Sequence, residues 1–269
     1  MDEPRPTRSA QPMIRTATAA GIATITLDSP ANRNALSTPL MTQLLAALAA
    51  AVDDPQVRVV VLSHEGPVFC SGADLAETQR AYESRQVPVA MLGDVLAAVW
   101  ECPKPVVARV GGPARAGGLG LLAAADIAVC DAAATFAFTE VRLGVVPAVI
   151  SASVLRRLDR RAAAQLYLTG EVFDGRRAQQ VGLVSAAVPA EALDATVAAV
   201  CADLVRGAPT ALAGTKQLLR RTAPDDFRDD VAALREISTD YFLSDEGREG
   251  VRAFREKRAP WWVPGGATW

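Results

Sequence analysis

Two short glycine-containing segments and one glutamate are the parts of this sequence whose types and spacing could do chemistry. The first segment is Phe69–Cys70–Ser71–Gly72–Ala73–Asp74–Leu75, which follows a strand-like apolar run and leads toward a helix. Gly72 permits a tight turn, and the N–H groups after it open a helix without intrahelical acceptors. Free N–H groups at the positive end of a helix dipole attract negative charge. Ala116–Gly117–Gly118–Leu119–Gly120 repeats the arrangement after a second apolar run. Facing each other, two such sites hold one oxygen between two donors, as an oxyanion hole does. Taken singly, each is equally an ordinary strand-to-helix turn. Glu140 is the third part, set among Phe136, Phe138, Val141 and Leu143. An apolar setting disfavours the charged carboxylate and raises its pKa, which suits a proton shuttle at neutral pH.

An alternation of strands and helices must position these parts. Alternating or continuous apolar runs predict strands over 13–17 and 22–27 (joined at Gly21), 57–63, 106–110, 127–130, 135–137 and 184–188. Helical spacing predicts helices over about 38–52, 89–100 and 117–125. From Pro189 the pattern is all-helical, over about 190–206, 209–221, 226–243 and 245–256. The expected class is α/β, divided into a polar lead-in over 1–12, a strand-and-helix body over 13–188, a helical region over 189–258 and a tail over 259–269. The helical region cannot bury its faces alone, so it must pack on the body or on a neighbouring subunit. The polar segment 76–88 is a candidate mobile loop or frayed helix.

Composition narrows the function classes. The 269 residues can bury one sizeable core, and their formal charge of −2 comes with no basic block, which argues against a nucleic-acid partner. No apolar run near the start acts as a signal peptide or membrane span, so a cytoplasmic protein without a membrane partner is expected. Cys70, Cys102, Cys130 and Cys201 are widely spaced and read as buried thiols, with disulfides the alternative. The lone histidine, His64, excludes a multi-histidine metal site and is expected in a loop. Trp261, Trp262 and Trp269 occupy a Pro/Gly-rich tail that either anchors to a protein surface or covers part of a binding groove.

Several segments in combination resemble the crotonase (enoyl-CoA hydratase/isomerase) superfamily over residues 13–258. They are Asn32–Arg33–Asn34–Ala35–Leu36, the run Phe69 to Leu75, Gly112 to Gly120, Ala124–Ala125–Asp126–Ile127–Ala128, Phe136 to Gly144 with Pro147, Leu168–Thr169–Gly170, and Ala178 to Val184. The resemblance implies a ββα spiral core with a C-terminal helical trimerisation region, and an acyl-coenzyme A thioester substrate with no separate cofactor or metal. It further implies that the N–H groups of Ala73 and Gly117 hold the thioester oxygen and that Glu140 is the general acid/base. Arg33, Ala35, Ser71, Gly72, Ala73, Asp74, Leu75, Gly118 and Gly120 would line the coenzyme and acyl groove. Phe254 and Lys257 would reach the coenzyme of a neighbouring subunit in a homotrimer or dimer of trimers. The chemistry is coherent. A carbon beside a thioester carbonyl is a poor acid until its enolate is stabilised, and each fixed N–H donor supplies roughly 3–4 kcal/mol.

Two residues depart from the family pattern. Hydratases of this family that use two glutamates carry the second where this chain has Gly120, and a single carboxylate suffices for moving a double bond from the 3 to the 2 position. The run from Thr139 to Ser151 nevertheless resembles bacterial hydratases of the 3-methylglutaconyl-CoA type, which keeps water addition first and isomerisation second. Arg115 stands where an apolar residue is usual; it either meets a distal carboxylate of the acyl group or lies exposed in a loop. Two other readings fit the residues less well. Gly118 to Ala123 matches a dinucleotide fingerprint, but begins well after the strand end and leaves the Phe69–Leu75 segment unexplained. A non-catalytic acyl-CoA-binding relative would have no need of Glu140.

Overall fold

Strand β3 (Val59–His64) is buried at every position, as expected of a strand covered on both faces. The computed structural model describes residues 12–74, 77, 89–221 and 227–263. The segment 76–88, apart from Glu77, and Leu75 lie outside the described residues, as do Trp269 and residues 1–11. Around β3 the other strands are β1 (Ile14–Ala19), β2 (Ile22–Leu27), β4 (Val106–Val110), β5 (Ala114–Arg115), β6 (Ile127–Asp131), β7 (Thr135–Ala137), β8 (Phe173–Asp174) and β9 (Ala186–Val188). The main sheet runs β1-β2-β3-β4-β6-β9; β1 and β2 form an antiparallel hairpin and every later pair is parallel. A small second sheet, β5-β7-β8, stands beside it.

The two-residue period of the strands sorts their side chains between two cores. Val60, Leu62, Ala108 and Cys130 enter the larger core, while Val59, Val61, Val107 and Val129 enter the smaller one on the opposite face. Helix α1 (Thr38–Asp53) closes the larger core with Leu40, Met41, Leu44, Leu48 and Ala51, a stripe at helical spacing, and Ser37 caps its start by accepting from Leu40 N–H. Helix α2 (Val89–Glu101) packs beside it. Helix α3 (Gly117–Ala124) is buried at all eight positions, the mark of an interior helix. Three short helices then follow where sequence periodicity separates none: α4 (Ala148–Val154), α5 (Arg160–Thr169) and α6 (Gly175–Gln180). Asp159 and Asp174 cap α5 and α6 by accepting backbone N–H bonds.

The C-terminal region is α7 (Ala190–Arg206), α8 (Pro209–Arg220), α9 (Phe227–Leu243) and α10 (Asp245–Glu256). Helix α7 lies over the sheet, laying Leu193, Val197 and Cys201 on the smaller core. Asp126 ties α8 to the body: it accepts from Val106 N–H at 2.8 Å, Lys216 Nζ lies 2.5 Å from its Oδ2, and Arg220 Nη2 3.1 Å from its Oδ1. Buried Arg58 holds the tail, donating to the carbonyls of Trp262 (2.6 Å) and Gly207 (2.6 Å). The Trp262 indole donates to Arg206 O at 3.0 Å, so this tail segment anchors to its own chain. Later helices leave Val231, Ile237, Leu243, Val251 and Phe254 exposed. All four cysteines are free and buried, and burial pushes the Cys70 and Cys130 thiols up to about 12.

Candidate active site

The two glycine segments are laced together along their backbones. Phe69 N–H donates to Pro113 O at 3.0 Å, Arg115 N–H donates to Cys70 O at 3.0 Å, and Cys70 bridges Ala114 in parallel. Contact is too close for side chains. A Cβ on Gly118 would stand 2.7 Å from Cys70 O, and one on Gly72, at φ +93°, would meet the Ala116 Cβ at 3.0 Å. Gly112 approaches closer still, since its Cβ would fall 2.1 Å from Pro67 O. Ala116, the residue before α3, has φ 47° and ψ −116°, a strained conformation for a residue with a Cβ. That turn brings the start of α3 against Gly72, whose Cβ would also stand 3.1 Å from Arg115 O.

A third strip braces the first segment from behind. Leu36 N–H donates to Gly72 O at 2.8 Å, Leu36 bridges Ala73, and Ser71 N–H donates to Arg33 O at 3.1 Å. Asn34 is fully buried at φ 53°, and its amide donates to Glu65 O and Val68 O while accepting from Ser29 N–H. The asparagine-containing loop thus clamps the Gly72–Ala73 segment. Asp74 extends the contact through Asn32 Nδ2 at 3.4 Å and by accepting from Glu77 N–H. Among the described residues, no backbone acceptor takes the N–H of Ala73 or of Gly117. Two unclaimed donors on adjoining turns can receive one oxyanion. Beside Gly117 stand Leu36 and Leu92, an apolar wall.

Glu140 starts a 3₁₀ turn (Glu140–Leu143) yet is 9% exposed, and its Oε2 has no partner. Its surroundings differ in part from the sequence expectation. Phe136 and Phe138 are buried, whereas Val141 and Leu143 project outward because the tight turn carries them past the core. Burial pushes the Glu140 carboxyl above its ordinary range, a bond accepted from its own backbone N–H opposing in part. At Gly120 a Cβ would stand 2.7 Å from Ile150 Cγ2 and 3.2 Å from Leu96 Cδ1. The absent second carboxylate therefore faces a hydrocarbon wall.

Arg115 lies in β5, half-buried, rather than in an exposed loop. Its guanidinium donates to Ala114 O (2.9 Å), Thr135 O (2.5 Å) and Thr135 Oγ1 (3.0 Å), which holds it against β7. Ala35 is buried behind the first segment, and Arg33 sits at φ 58° at its edge. Phe254 and Lys257 lie on α10 and at its C-cap, both exposed. His64 is a correction: it ends β3, buried, and Nε2 accepts from Gly111 N–H at 3.0 Å. It steadies the approach to the second segment, and burial, reinforced by Arg109, lowers its pKa. A single histidine after a strand gives no sequence signal of that bond. No group of three or more metal-ligating side chains occurs among the described residues.

A family model described as enoyl-CoA hydratase/isomerase matches residues 17–264. The chain belongs to the enoyl-CoA hydratase/isomerase family. Within that family it is 31% identical over 241 residues to the 2,3-dehydroadipyl-CoA hydratase of Escherichia coli, covering 88% of this chain and 92% of that one. Among solved structures, an enoyl-CoA hydratase of Mycobacterium smegmatis superposes with a TM-score of 0.84 at 33% identity, over 94% of this chain and 99% of that one. A second, from Mycobacterium avium, is 44% identical with a TM-score of 0.72, over 94% and 99%. The crotonase fold of the family accounts for the laced loops and the interior helix.

Proposed function

We propose that this member of the family adds water to a 2-enoyl-CoA thioester. The observation that carries the proposal is the buried, unpartnered Glu140 carboxylate in the same fold as two unclaimed N–H donors on interlaced loops. In this reading the thioester oxygen lies between the N–H groups of Ala73 and Gly117, whose pull strengthens as negative charge develops on it. Glu140 moves the proton, and burial raises its pKa above the ordinary carboxylate range, which makes it a better base than an exposed glutamate. In the same reading Arg33, Ala35, Ser71, Gly72 and Asp74 border the coenzyme groove. The relatives named as hydratases support the same reading.

A homotrimer or dimer of trimers would cover the exposed apolar side chains of α9 and α10 and bring Phe254 and Lys257 to a neighbouring coenzyme. One observation favours isomerisation of a 3-enoyl thioester as the second reading: Gly120 supplies no second carboxylate. The test is an assay of purified protein on a short 2-enoyl-CoA and its 3-enoyl isomer, with Glu140→Gln as control. Loss of the conjugated enoyl absorbance from the first, abolished by the substitution, is the expected result. Gain of that absorbance from the second alone would replace hydration with isomerisation.

A further inference from the structure

With Gly120 walled by Ile150 and Leu96, a hydratase built on this chain needs another group to hold the water opposite Glu140. Next to Ile150 on α4 is Ser151, and facing it on α5 is Tyr167. The two hydroxyl oxygens are 3.4 Å apart, and Ser151 Oγ lies 2.6 Å from Pro147 O. The Tyr167 ring packs on Phe138, centroids 4.4 Å apart, two residues before Glu140 in the chain. Burial raises the Tyr167 pKa, the contact with Ser151 opposes that rise, and the Glu140 charge adds to it.

Proton counting gives this pair a direction. Ser151 has one hydrogen, and the short contact assigns it to the Pro147 carbonyl. The Tyr167 phenol oxygen, 3.4 Å from Ser151 Oγ, takes the weaker contact with that hydroxyl and keeps a lone pair free to accept. Glu140 Oε2 is a second buried acceptor without a donor. A water molecule has two hydrogens to place, and these are two acceptors for them.

We propose that Tyr167, oriented by Ser151, holds the adding water together with Glu140 and replaces the carboxylate that Gly120 lacks. The proposal rests on the hydratase reading above. A water lone pair forms the C–O bond at the β carbon, and the C=C electron pair moves into the enolate held by Ala73 and Gly117 N–H. The proton leaving the water passes to Glu140, which returns it to the α carbon as the enolate collapses to the thioester. One water is consumed and the carboxylate is regenerated, so a single glutamate suffices.

The test separates water addition from proton transfer. In one set of preparations, hydration of a short 2-enoyl-CoA is measured beside exchange of the α hydrogens of a saturated acyl-CoA in D₂O. Exchange needs Glu140 and the oxyanion donors but no held water. Tyr167→Phe should lower the hydration kcat about 10–100-fold, the scale of a misplaced reactant, while exchange stays within about twofold. Ser151→Ala should show the same split at smaller amplitude, and it carries the test if the Phe variant does not fold. Equal falls in both activities would make the tyrosine merely structural and overturn the proposal. Wild-type hydration left intact by both substitutions would overturn it while sparing the hydratase reading. A wild type that exchanges but adds no water would sink both.

Discussion

Glu140 and Glu249 are buried alike, 9% and 5% exposed, yet the protein treats them in opposite ways. Glu140 starts a 3₁₀ turn in the body, with one oxygen unpartnered. Glu249, in α10, accepts from Arg252 Nη2 at 2.5 Å and from Arg258 Nη1 at 2.6 Å. Those bonds hold its carboxyl down at about 2, whereas burial pushes that of Glu140 up. Burial alone therefore says little about what a carboxylate is for. A satisfied one fastens a helix to the turn that follows it; an unsatisfied one keeps a destabilising charge in a place where a ligand can meet it.

Removing the unsatisfied carboxylate should break function most. Glu140→Gln keeps the shape of the site but cannot take a proton, so turnover should fall by about 10²–10⁴-fold with little change in fold. Steady-state kinetics beside a circular dichroism spectrum checks both halves. Residual activity within tenfold of wild type would remove Glu140 from its role as acid/base.

How much of this was legible beforehand depends on which force set each feature. Strands 22–27, 106–110 and 135–137 and helices 190–206 and 245–256 follow from periodicity alone, and the structure places them at those bounds. The helices of 148–180 carry no such signal, because they are short and take their stability from packing on the body. The two glycine segments were visible as turns. Their lacing was not, because Gly118 against Cys70 and Gly72 against Ala116 are contacts across more than forty residues. His64 and Tyr167 were illegible for the same reason. Each matters through one hydroxyl or nitrogen contact with a distant segment, and no local pattern encodes it.

The lacing itself can be broken with one methyl group. A Cβ at Gly118 would stand 2.7 Å from Cys70 O and 2.8 Å from Cys70 Cβ, and neither atom is the end of a flexible chain. Gly118→Ala should therefore destabilise the protein by about 1–3 kcal/mol as the loops part. It should also misplace the neighbouring Gly117 N–H, lowering turnover up to about 100-fold. Thermal melts and kcat on the same sample test the pairing; a full loss of activity without any fall in Tm would mean that Gly118 acts on the ligand directly.

On the satisfied side of the comparison the expected effect is on stability. Glu249→Gln replaces the carboxylate shared by Arg252 and Arg258 with a neutral amide that has one acceptor oxygen, but their side chains are 64% and 39% exposed and water replaces part of the loss. A fall in Tm of about 2–5 °C at neutral pH is expected, with the kcat of the folded enzyme changed less than about threefold. A larger kcat loss would connect α10 to the site more tightly than its side chains indicate.

The smallest effect is the most discriminating, since the two glutamates should respond to pH with opposite signs. Because burial raises the Glu140 pKa above the ordinary 4.5, the native state holds more protons than the unfolded one between those values. Stability then falls as pH rises through that window, so Glu140→Gln should melt about 1–3 °C above wild type at pH 7. That advantage should vanish as pH drops below 4.5, where both forms of the protein carry a neutral side chain. For Glu249, lowered to about 2, the unfolded state holds more protons between 4.5 and 2. Its contribution is complete above 4.5 and lost toward 2, so the deficit of Glu249→Gln should be widest at neutral pH and shrink in acid. Melting both variants and wild type at pH 7 and near pH 4 measures the pair of differences. Opposite signs at pH 7, both closing in acid, would show that the chain tolerates a destabilising charge at Glu140 and a stabilising one at Glu249. Two differences of the same sign would mean that Glu140 has a partner in solution, and the basis for its role as a poised base would be gone.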